Sequence, residues 1–172
     1  AGPDIRWVGN EAGLGAETTW CTYNAAGRYP GSPNFADFGS GHEGGTHWIP
    51  PETDVSIRPG WFYHTHEDES VKTVDQLTEI YFQSVGRGTS LLLNLPPDRR
   101  GLIHEIDAAR LRQWRSVLER TFEHDLAPQA ALSASSQFSP EFSPAHLTDG
   151  NPDSFWAAAE AVTSAEIRLD FT

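Results

Sequence analysis

Apolar and polar positions alternate only over short stretches in the first third of the chain. Residues 4–8 carry a brief apolar run that stops at Gly9, which predicts a strand entering a glycine-rich loop. The segment from Gly9 to about Pro51 mixes glycine, proline, serine, asparagine and aromatic residues without a period, so we expect a long functional loop. In DVSIRPGWFYH, residues 54–64, Val55 and Ile57 alternate, which predicts a strand end that opens into another loop.

Two later segments have the spacing of amphipathic helices. In residues 69–88 one helical face carries apolar side chains, namely Val74, Leu77, Tyr81 and Val85. Ser70 is the predicted cap of this helix, and Gly86 or Gly88 is its predicted end. In residues 106–122 a second apolar stripe consists of Leu111, Trp114, Leu118 and Phe122.

A strand is predicted between these helices. Residues 89–97, TSLLLNLPP, form a nearly unbroken apolar run, which is typical of a strand buried on both faces of a parallel sheet. The resulting order of strand, loop, strand, helix, strand, helix indicates an α/β fold. After Leu126 the composition changes to alanine, serine and proline with turn-forming sequences, so we expect a domain boundary near residues 125–127.

Composition narrows the possible partners. The 172 residues include 12 Lys and Arg against 24 Asp and Glu, a formal net charge of −12, which argues against nucleic acid and anionic membranes as ligands. A neutral or cationic ligand fits this negative net charge better. Cys21 is the only cysteine and is predicted to be a small buried side chain. No apolar run is long enough to span a membrane, and no leader pattern is present. Because the chain begins without Met and stops within a strand pattern, we expect both ends to be cut.

Glu11 is the first candidate for chemistry. It follows a predicted strand in IRWVGNEAGLG, residues 5–15, and catalytic side chains of parallel α/β proteins lie at the carboxyl ends of strands. A solvated loop carboxylate or a helix cap is the alternative. The four histidines of the same region do not have metal-ligand spacing, so no metal site is predicted: His42, His47, His64 and His66.

Aromatic residues are concentrated in the loops. The loop aromatics are Trp7, Trp20, Trp48, Trp61, Phe62 and Tyr63. Aromatic faces pack against the C–H faces of sugars, so these residues predict stacking on a neutral glycan, with core packing as the alternative. Trp114 and Trp156 are instead predicted to lie in the core.

Three segments together resemble the α-L-fucosidases of glycoside hydrolase family 29. They are GPDIRWVGNEAG, DVSIRPGWFYH and SVGRGTSLLLNLPPDRRGLI. The resemblance covers residues 1–125 and implies the C-terminal part of a (β/α)8-like, TIM-type barrel and a retaining mechanism. It also implies an Asp nucleophile on an earlier strand, in a Trp-Phe-Asp-Gly-like motif. The sequence contains no such motif, so we expect the nucleophile upstream of Ala1.

The resemblance also implies roles for several residues. In members that prefer α-1,3- or α-1,4-linked fucose, the general acid/base lies in a GNEAG context, which here is Glu11. The expected substrate-binding residues are Arg58, Trp61, Glu52 and Trp20. Asn94 is expected to donate a hydrogen bond to such residues rather than to the sugar itself. A structural salt bridge is the alternative for Arg58, and loop capping is the alternative for Glu52. Neither a cofactor nor a metal is expected.

Residues 126–172 resemble the start of a discoidin-like (coagulation factor 5/8 type C) β-sandwich, which is often a carbohydrate-binding module. The expected partner of the whole protein is a fucosylated oligosaccharide or glycoconjugate. The resemblance implies a secreted or periplasmic location. A non-catalytic glycan-binding protein on a degenerate barrel, with Glu11 as a ligand contact, is the alternative function.

Overall fold

The computed structural model describes residues 4–27 and 37–171. The chain forms two compact units, Ala1–Glu119 and Arg120–Thr172. The strands in the described residues are β1 (Arg6–Trp7), β2 (Thr22–Tyr23), β3 (His47–Trp48), β4 (Pro51–Ser56), β5 (Ser90–Asn94), β6 (Ala131–Ala134) and β7 (Ile167–Asp170). The α-helices are α1 (Asp37–Ser40), α2 (Val74–Ser84) and α3 (Glu105–Thr121).

A parallel sheet with the strand order β1-β4-β5 organises the first unit. The three strands are parallel: Trp7 at the end of β1 pairs with Glu52 near the start of β4, and β4 and β5 end together at the pair of Ser56 and Asn94. Helices α2 and α3 follow β4 and β5 in the chain, which is the βα order expected of an α/β fold. The prediction of parallel strands is therefore confirmed.

The core of this unit lies between the sheet and its helices. Ile57, Val71 and Leu77 are buried together. Leu93, Leu95, Leu111 and Trp114 pack against them, so the predicted core position of Trp114 is confirmed. Two members of the predicted stripes are exposed instead. Val85 lies in the short 3₁₀ helix Val85–Arg87 after α2, and Phe122 lies beyond the end of α3.

The boundaries of helix α2 are set by its caps. Thr73 is the N-cap: its hydroxyl accepts from the backbone of Gln76, and the Gln76 side chain accepts from the backbone of Thr73. The prediction of Ser70 as the cap is wrong, because Ser70 ends a separate 3₁₀ helix, Thr65–Ser70. Gly88 ends the helical segment in the left-handed conformation, at φ 80°.

Strand β5 differs from its prediction in burial. Leu92 is 47% exposed, and β5 pairs only with β4 within the described ranges. The expectation that this strand is buried on both faces is therefore wrong for this chain. The predicted strand at residues 54–57 also begins earlier, at Pro51.

The long predicted loop contains short elements. Strands β2 and β3 form an antiparallel pair, and the single turn of α1 lies between them in sequence. Residues 28–36 of this loop lie outside the described residues. Cys21 is only partly buried, in contrast to its predicted burial.

In its described residues, the second unit has an antiparallel pair of strands, β6 and β7, and three 3₁₀ helices. The indole of Trp156 donates to the carbonyl of Ser136 at 3.0 Å. The rings of Phe142 and Phe155 lie 5.1 Å apart. The assignment of this unit as the start of a β-sandwich stays a prediction. None of the helices in residues 4–27 and 37–171 has the length and apolar character needed to cross a membrane.

Candidate functional site

Glu11 lies in a tight turn directly after β1. Gly9 enters the turn with φ 89°. The Asn10 side-chain oxygen accepts from the backbone N–H groups of Ala12 and Leu14, and its amide donates to the carbonyl of Leu14 at 2.8 Å. This local network is the usual way in which asparagine stabilises a turn. It leaves Glu11 exposed at the tip of the turn.

Two glycines hold this turn against the rest of the unit. The backbone N–H of Gly13 donates to the Asp54 carbonyl in β4 at 2.9 Å, and that of Gly15 donates to the Gln83 carbonyl in α2 at 2.8 Å. A Cβ on Gly13 would lie 2.8 Å from Ile80 Cγ2, and the φ of Gly13 is 69°. Only glycine combines this conformation with so close a contact. The turn therefore has a fixed position relative to β4 and α2.

Trp61 contacts the carboxylate of Glu11 from the loop after β4. Its indole Nε1 donates to Glu11 Oε2 at 2.9 Å, across 50 positions of sequence. The Asn94 amide, at the end of β5, donates to the Trp61 carbonyl and to Ser56 Oγ, both at 3.0 Å. Residues that follow β1 and β4 thus meet near the last residue of β5, at the carboxyl edge of the sheet, which is where α/β proteins bind ligands.

This arrangement suits a proton-transfer group. A carboxylate can give and take protons only if its oxygens are oriented toward a reacting atom that can reach it. The Trp61 N–H fixes one oxygen of Glu11, and the exposed position of Glu11 leaves the other accessible. Two of the predicted site residues are therefore in direct contact.

Arg58 has a different environment from the one expected of a sugar ligand. It is fully buried, and its Nε and Nη2 donate to the two carboxylate oxygens of the equally buried Asp107 at 2.9 and 3.0 Å. Its Nη1 donates to Asp68 at 2.9 Å, and its guanidinium lies 4.7 Å from the ring centre of Tyr63. These contacts favour the structural salt bridge that the sequence left open.

Glu52 and Trp20 lie apart from this contact. Glu52 is partly buried within β4, so it cannot cap the loop, and β4 places it on the same sheet face as Asp54. Trp20 is 40% exposed and is held through its backbone, which donates to Ser40 and accepts from Arg6. In the described part of the chain, no hydrogen bond or ring contact joins either residue to Glu11.

The histidines of the loop region make hydrogen bonds and ring contacts with nearby groups. His42 Nδ1 accepts from the Asn24 backbone at 3.1 Å, so its Nε2 carries the hydrogen that Asp37 accepts at 2.8 Å. The rings of His64 and His66 stack 5.4 Å apart. Within residues 4–27 and 37–171, no group of three His, Cys, Asp or Glu side chains could hold a metal ion.

Asp54 is a residue that sequence reasoning missed. It accepts from the Trp7 indole at 2.7 Å, on the sheet face that carries Glu52. The period of two in Glu52 and Asp54 could have indicated this shared face, if the strand start at Pro51 had been recognised. Asp107 gave no comparable signal, because its partner Arg58 is 49 residues away.

Comparison with known sequences matches this chain to the alpha-L-fucosidases. The family model for alpha-L-fucosidases matches residues 20–121. Alpha-L-fucosidase 1 of Arabidopsis thaliana is 39% identical over 176 residues, which cover 99% of this chain and 34% of that protein. The chain thus spans about a third of the length of this curated relative.

Solved structures show the same similarity. The crystal structure of SpGH29 is 39% identical, with a TM-score of 0.84, over 97% of this chain and 36% of that one. A Ruminococcus gnavus GH29 fucosidase, solved in complex with fucose, is 30% identical, with a TM-score of 0.76, over 96% of this chain and 34% of that one. The chain therefore belongs to the alpha-L-fucosidase family, glycoside hydrolase family 29.

Proposed function

We propose that the chain is part of a retaining α-L-fucosidase that removes terminal fucose, linked α-1,3 or α-1,4, from glycans. Glu11 is the general acid/base. The observation that carries this proposal is the hydrogen bond from Trp61 to Glu11 at the carboxyl edge of a parallel sheet. Family membership supports the reaction, and the position of Glu11 after β1 supports its role.

The chemistry follows from a retaining mechanism with two carboxyl groups. Glu11 first donates a proton to the departing glycosidic oxygen, while an Asp attacks the anomeric carbon to form a fucosyl-enzyme. Glu11 then removes a proton from the water that hydrolyses this intermediate. Such an Asp lies about 5–5.5 Å from the acid/base group. We assign it to a part of the protein outside these residues, since the chain spans about a third of its relatives.

Trp61 has two functions in this proposal. Its N–H orients the carboxylate of Glu11, and its ring forms an apolar wall of the fucose site. Glu52 and Trp20 are further proposed contacts to the glycan, because one is a carboxylate on the sheet face of Asp54 and the other is a partly exposed indole.

A TIM-type barrel is the proposed setting for this site. Residues 1–125 would form its C-terminal half. The support is the parallel order β1-β4-β5, with α2 and α3 each following a strand. Residues 126–172 would begin a discoidin-like β-sandwich with a possible carbohydrate-binding role, consistent with the antiparallel pair of β6 and β7.

The proposal is tested with the full-length protein and two substrates. Glu11→Gln should lower the rate on an α-1,3/4-fucosylated oligosaccharide by about 10²–10⁴-fold, the usual contribution of a general acid. The first step on an activated aryl fucoside should change much less, because its leaving group needs no proton. Equal losses on both substrates would make Glu11 a positioning residue. Binding of the glycan without any cleavage by the unaltered protein would support a glycan-binding protein instead.

A further inference from the structure

A cleft of about 290 Å³ lies between the loops that follow β4 and β5. The first loop contributes the consecutive residues Tyr63 to His66, and the second contributes Arg99. Tyr63 is two positions from Trp61, whose indole reaches Glu11. The cleft therefore belongs to the same edge of the sheet as the proposed catalytic group.

The lining of this cleft contains one cation, Arg99, in a strongly acidic chain. Its side chains are Tyr63, His64, Thr65, His66 and Arg99, and none of them is a carboxylate. The chain as a whole has twice as many acidic as basic residues, 24 against 12. The imidazoles of His64 and His66 stack at 5.4 Å with an interplanar angle of 29°. A local excess of donors is therefore concentrated here.

Arg99 is the group best suited to hold an anion. It is exposed, and within residues 4–27 and 37–171 no carboxylate or carbonyl accepts from its guanidinium. The neighbouring Arg100 differs, because it pairs with Asp98 at 2.6 Å and with Glu105 at 2.7 Å. Asp68 is likewise occupied by Arg58 at 2.9 Å. Asp68, Asp98 and Glu105 are thus paired with other arginines. Glu67, next to His66, is different, because its buried Oε2 has no hydrogen-bond partner in the described residues.

The position of Arg99 is fixed by a tight turn. The Asp98 carboxylate accepts from the Arg100 backbone at 2.7 Å, and the Asp98 carbonyl accepts from Gly101, whose φ is 77°. The hydrogen bond from the Arg100 side chain lowers the pKa of Asp98 to about 2, so this carboxylate stays ionised near neutral pH. On the opposite wall, the ring of Tyr63 packs against His104 and the Arg58 guanidinium.

We propose that this cleft binds a carboxylate or sulfate substituent of the glycan from which fucose is removed. The proposal rests on the proposed fucosidase function and adds a preference for acidic glycans. A guanidinium binds carboxylate and sulfate oxygens through two parallel hydrogen bonds, which a neutral hydroxyl cannot match. The volume is close to the lower end of small-molecule sites, about 300 Å³, so it suits one acidic sugar.

The test compares glycans that differ only in charge. The full-length protein is assayed on one neutral fucosylated oligosaccharide, on its sialylated derivative and on its sulfated derivative. Arg99→Gln should lower kcat/KM on the preferred acidic glycan by about tenfold, the low end for a charge-assisted hydrogen bond at an exposed site. The neutral glycan should change by less than about twofold, as for other surface substitutions.

Arg112→Gln is the matched control. Arg112 is exposed on α3 and does not line this cleft, and its loss changes the net charge equally. It should leave the ratio of acidic to neutral turnover unchanged. An equal effect of Arg112→Gln and Arg99→Gln would overturn the subsite, because bulk charge would then explain the preference. Selectivity for the sialylated or the sulfated glycan identifies which oxyanion is bound.

The two proposals fail in different ways. If the neutral glycan is cleaved, but the acidic glycans are not preferred and Arg99→Gln changes nothing, the subsite is wrong and the fucosidase stands. If no glycan is cleaved, the proposed function is wrong, and calorimetric binding of the same glycans decides the subsite. Tighter binding of an acidic glycan that is lost in Arg99→Gln supports it, and equal binding of all three glycans overturns it.

Discussion

At the scale of single residues, the Trp61 indole is the group that connects Glu11 to the rest of the sheet. It donates to Glu11 while its own carbonyl accepts from Asn94. A carboxylate on an exposed turn has many orientations in water, and each one excluded lowers the entropic cost of proton transfer. Trp61 therefore has a role in orientation that is separable from its apolar face.

Trp61→Phe in the full-length protein separates these roles. Phenylalanine keeps an aromatic face but removes the N–H donor to Glu11. We expect kcat/KM on a fucosylated oligosaccharide to fall by about tenfold, since a hydrogen bond to a charged group contributes about 1.5–3 kcal/mol and this one is at an exposed carboxylate. An activated aryl fucoside should lose less. Steady-state kinetics on the two substrates measure the difference.

Trp114→Phe is the control for Trp61→Phe. The Trp114 indole nitrogen is buried and has no hydrogen-bond partner in the described part of the chain. This change should alter the melting temperature without altering kinetics per folded molecule. If Trp61→Phe behaves in the same way, Trp61 is a core residue and its role at Glu11 is wrong.

For Arg58 we expect a substitution to lower stability rather than activity. Arg58→Gln leaves the buried Asp107 without its cation, and breaking a buried pair in this way costs about 3–5 kcal/mol. Chemical denaturation of the full-length protein should show this loss of stability. The KM of the folded enzyme should change little. Adding Asp107→Asn should recover part of the stability. A raised KM with unchanged stability would restore Arg58 as a sugar ligand.

Sequence reasoning proposed Glu11 and Trp61 as site residues because each follows a predicted strand, and the structure places the two in contact. It could not identify the partners of Arg58, since Asp68 and Asp107 lie 10 and 49 residues away. No local period links residues at such separations. Pairing of this kind depends on where helix α3 packs, which the apolar stripe of that helix does not specify.

At the scale of elements, the turn from Gly9 to Gly15 is held by backbone contacts that leave no room for a side chain. Gly13→Ala should therefore destabilise more than Gly88→Ala. Both residues have a positive φ, 69° and 80°, but a Cβ on Gly88 would meet no atom within 4 Å. The overpacking at Gly13 adds about 1–3 kcal/mol, which denaturant unfolding of the two variants measures.

The same pair of variants tests the placement of Glu11. Gly13→Ala should also lower turnover of a fucosylated oligosaccharide, because the displaced turn carries Glu11. Gly88→Ala should leave it unchanged. Equal unfolding free energies for the two variants, or unaltered kinetics in Gly13→Ala, would show that the turn does not hold Glu11 in place.

Helices were predictable from spacing, but their boundaries were less so. The stripe of Val74, Leu77 and Tyr81 found α2, whereas its cap is Thr73 rather than Ser70. Both residue types can cap a helix, and the side chain of Gln76 decides between them by completing a capping box with Thr73. Strands β2 and β3 are only two residues long, too short for any alternation to be seen.

At the scale of the whole molecule, the sheet of the first unit has two outer strands. Strands β1 and β5 each pair only with β4 within the described ranges, and Leu92 is 47% exposed. The burial predicted for β5 from its apolar run suits a strand that is covered on both faces of its sheet, as in a closed barrel. The difference between sequence and structure at β5 is thus consistent with the proposal that further strands complete a barrel.

The isolated residues 1–172 should accordingly be inactive and loosely folded. Unpaired strand edges and exposed apolar faces favour association and a broad unfolding transition. An assay with an aryl α-fucoside and binding of a hydrophobic dye measure both properties against the full-length protein. Turnover equal to that of the full-length protein would show that the nucleophile lies within these residues.

The central claim is that Glu11 is the acid/base of a retaining fucosidase, and azide rescue of Glu11→Gln tests it most directly. With an activated aryl fucoside, the fucosyl-enzyme should form but hydrolyse slowly, because no base activates water. Azide needs no base, so it should accelerate turnover and give fucosyl azide of retained α configuration, identified by NMR. A β-configured azide product would make Glu11 the nucleophile, and the absence of any rescue would remove it from proton transfer; either result would contradict the account.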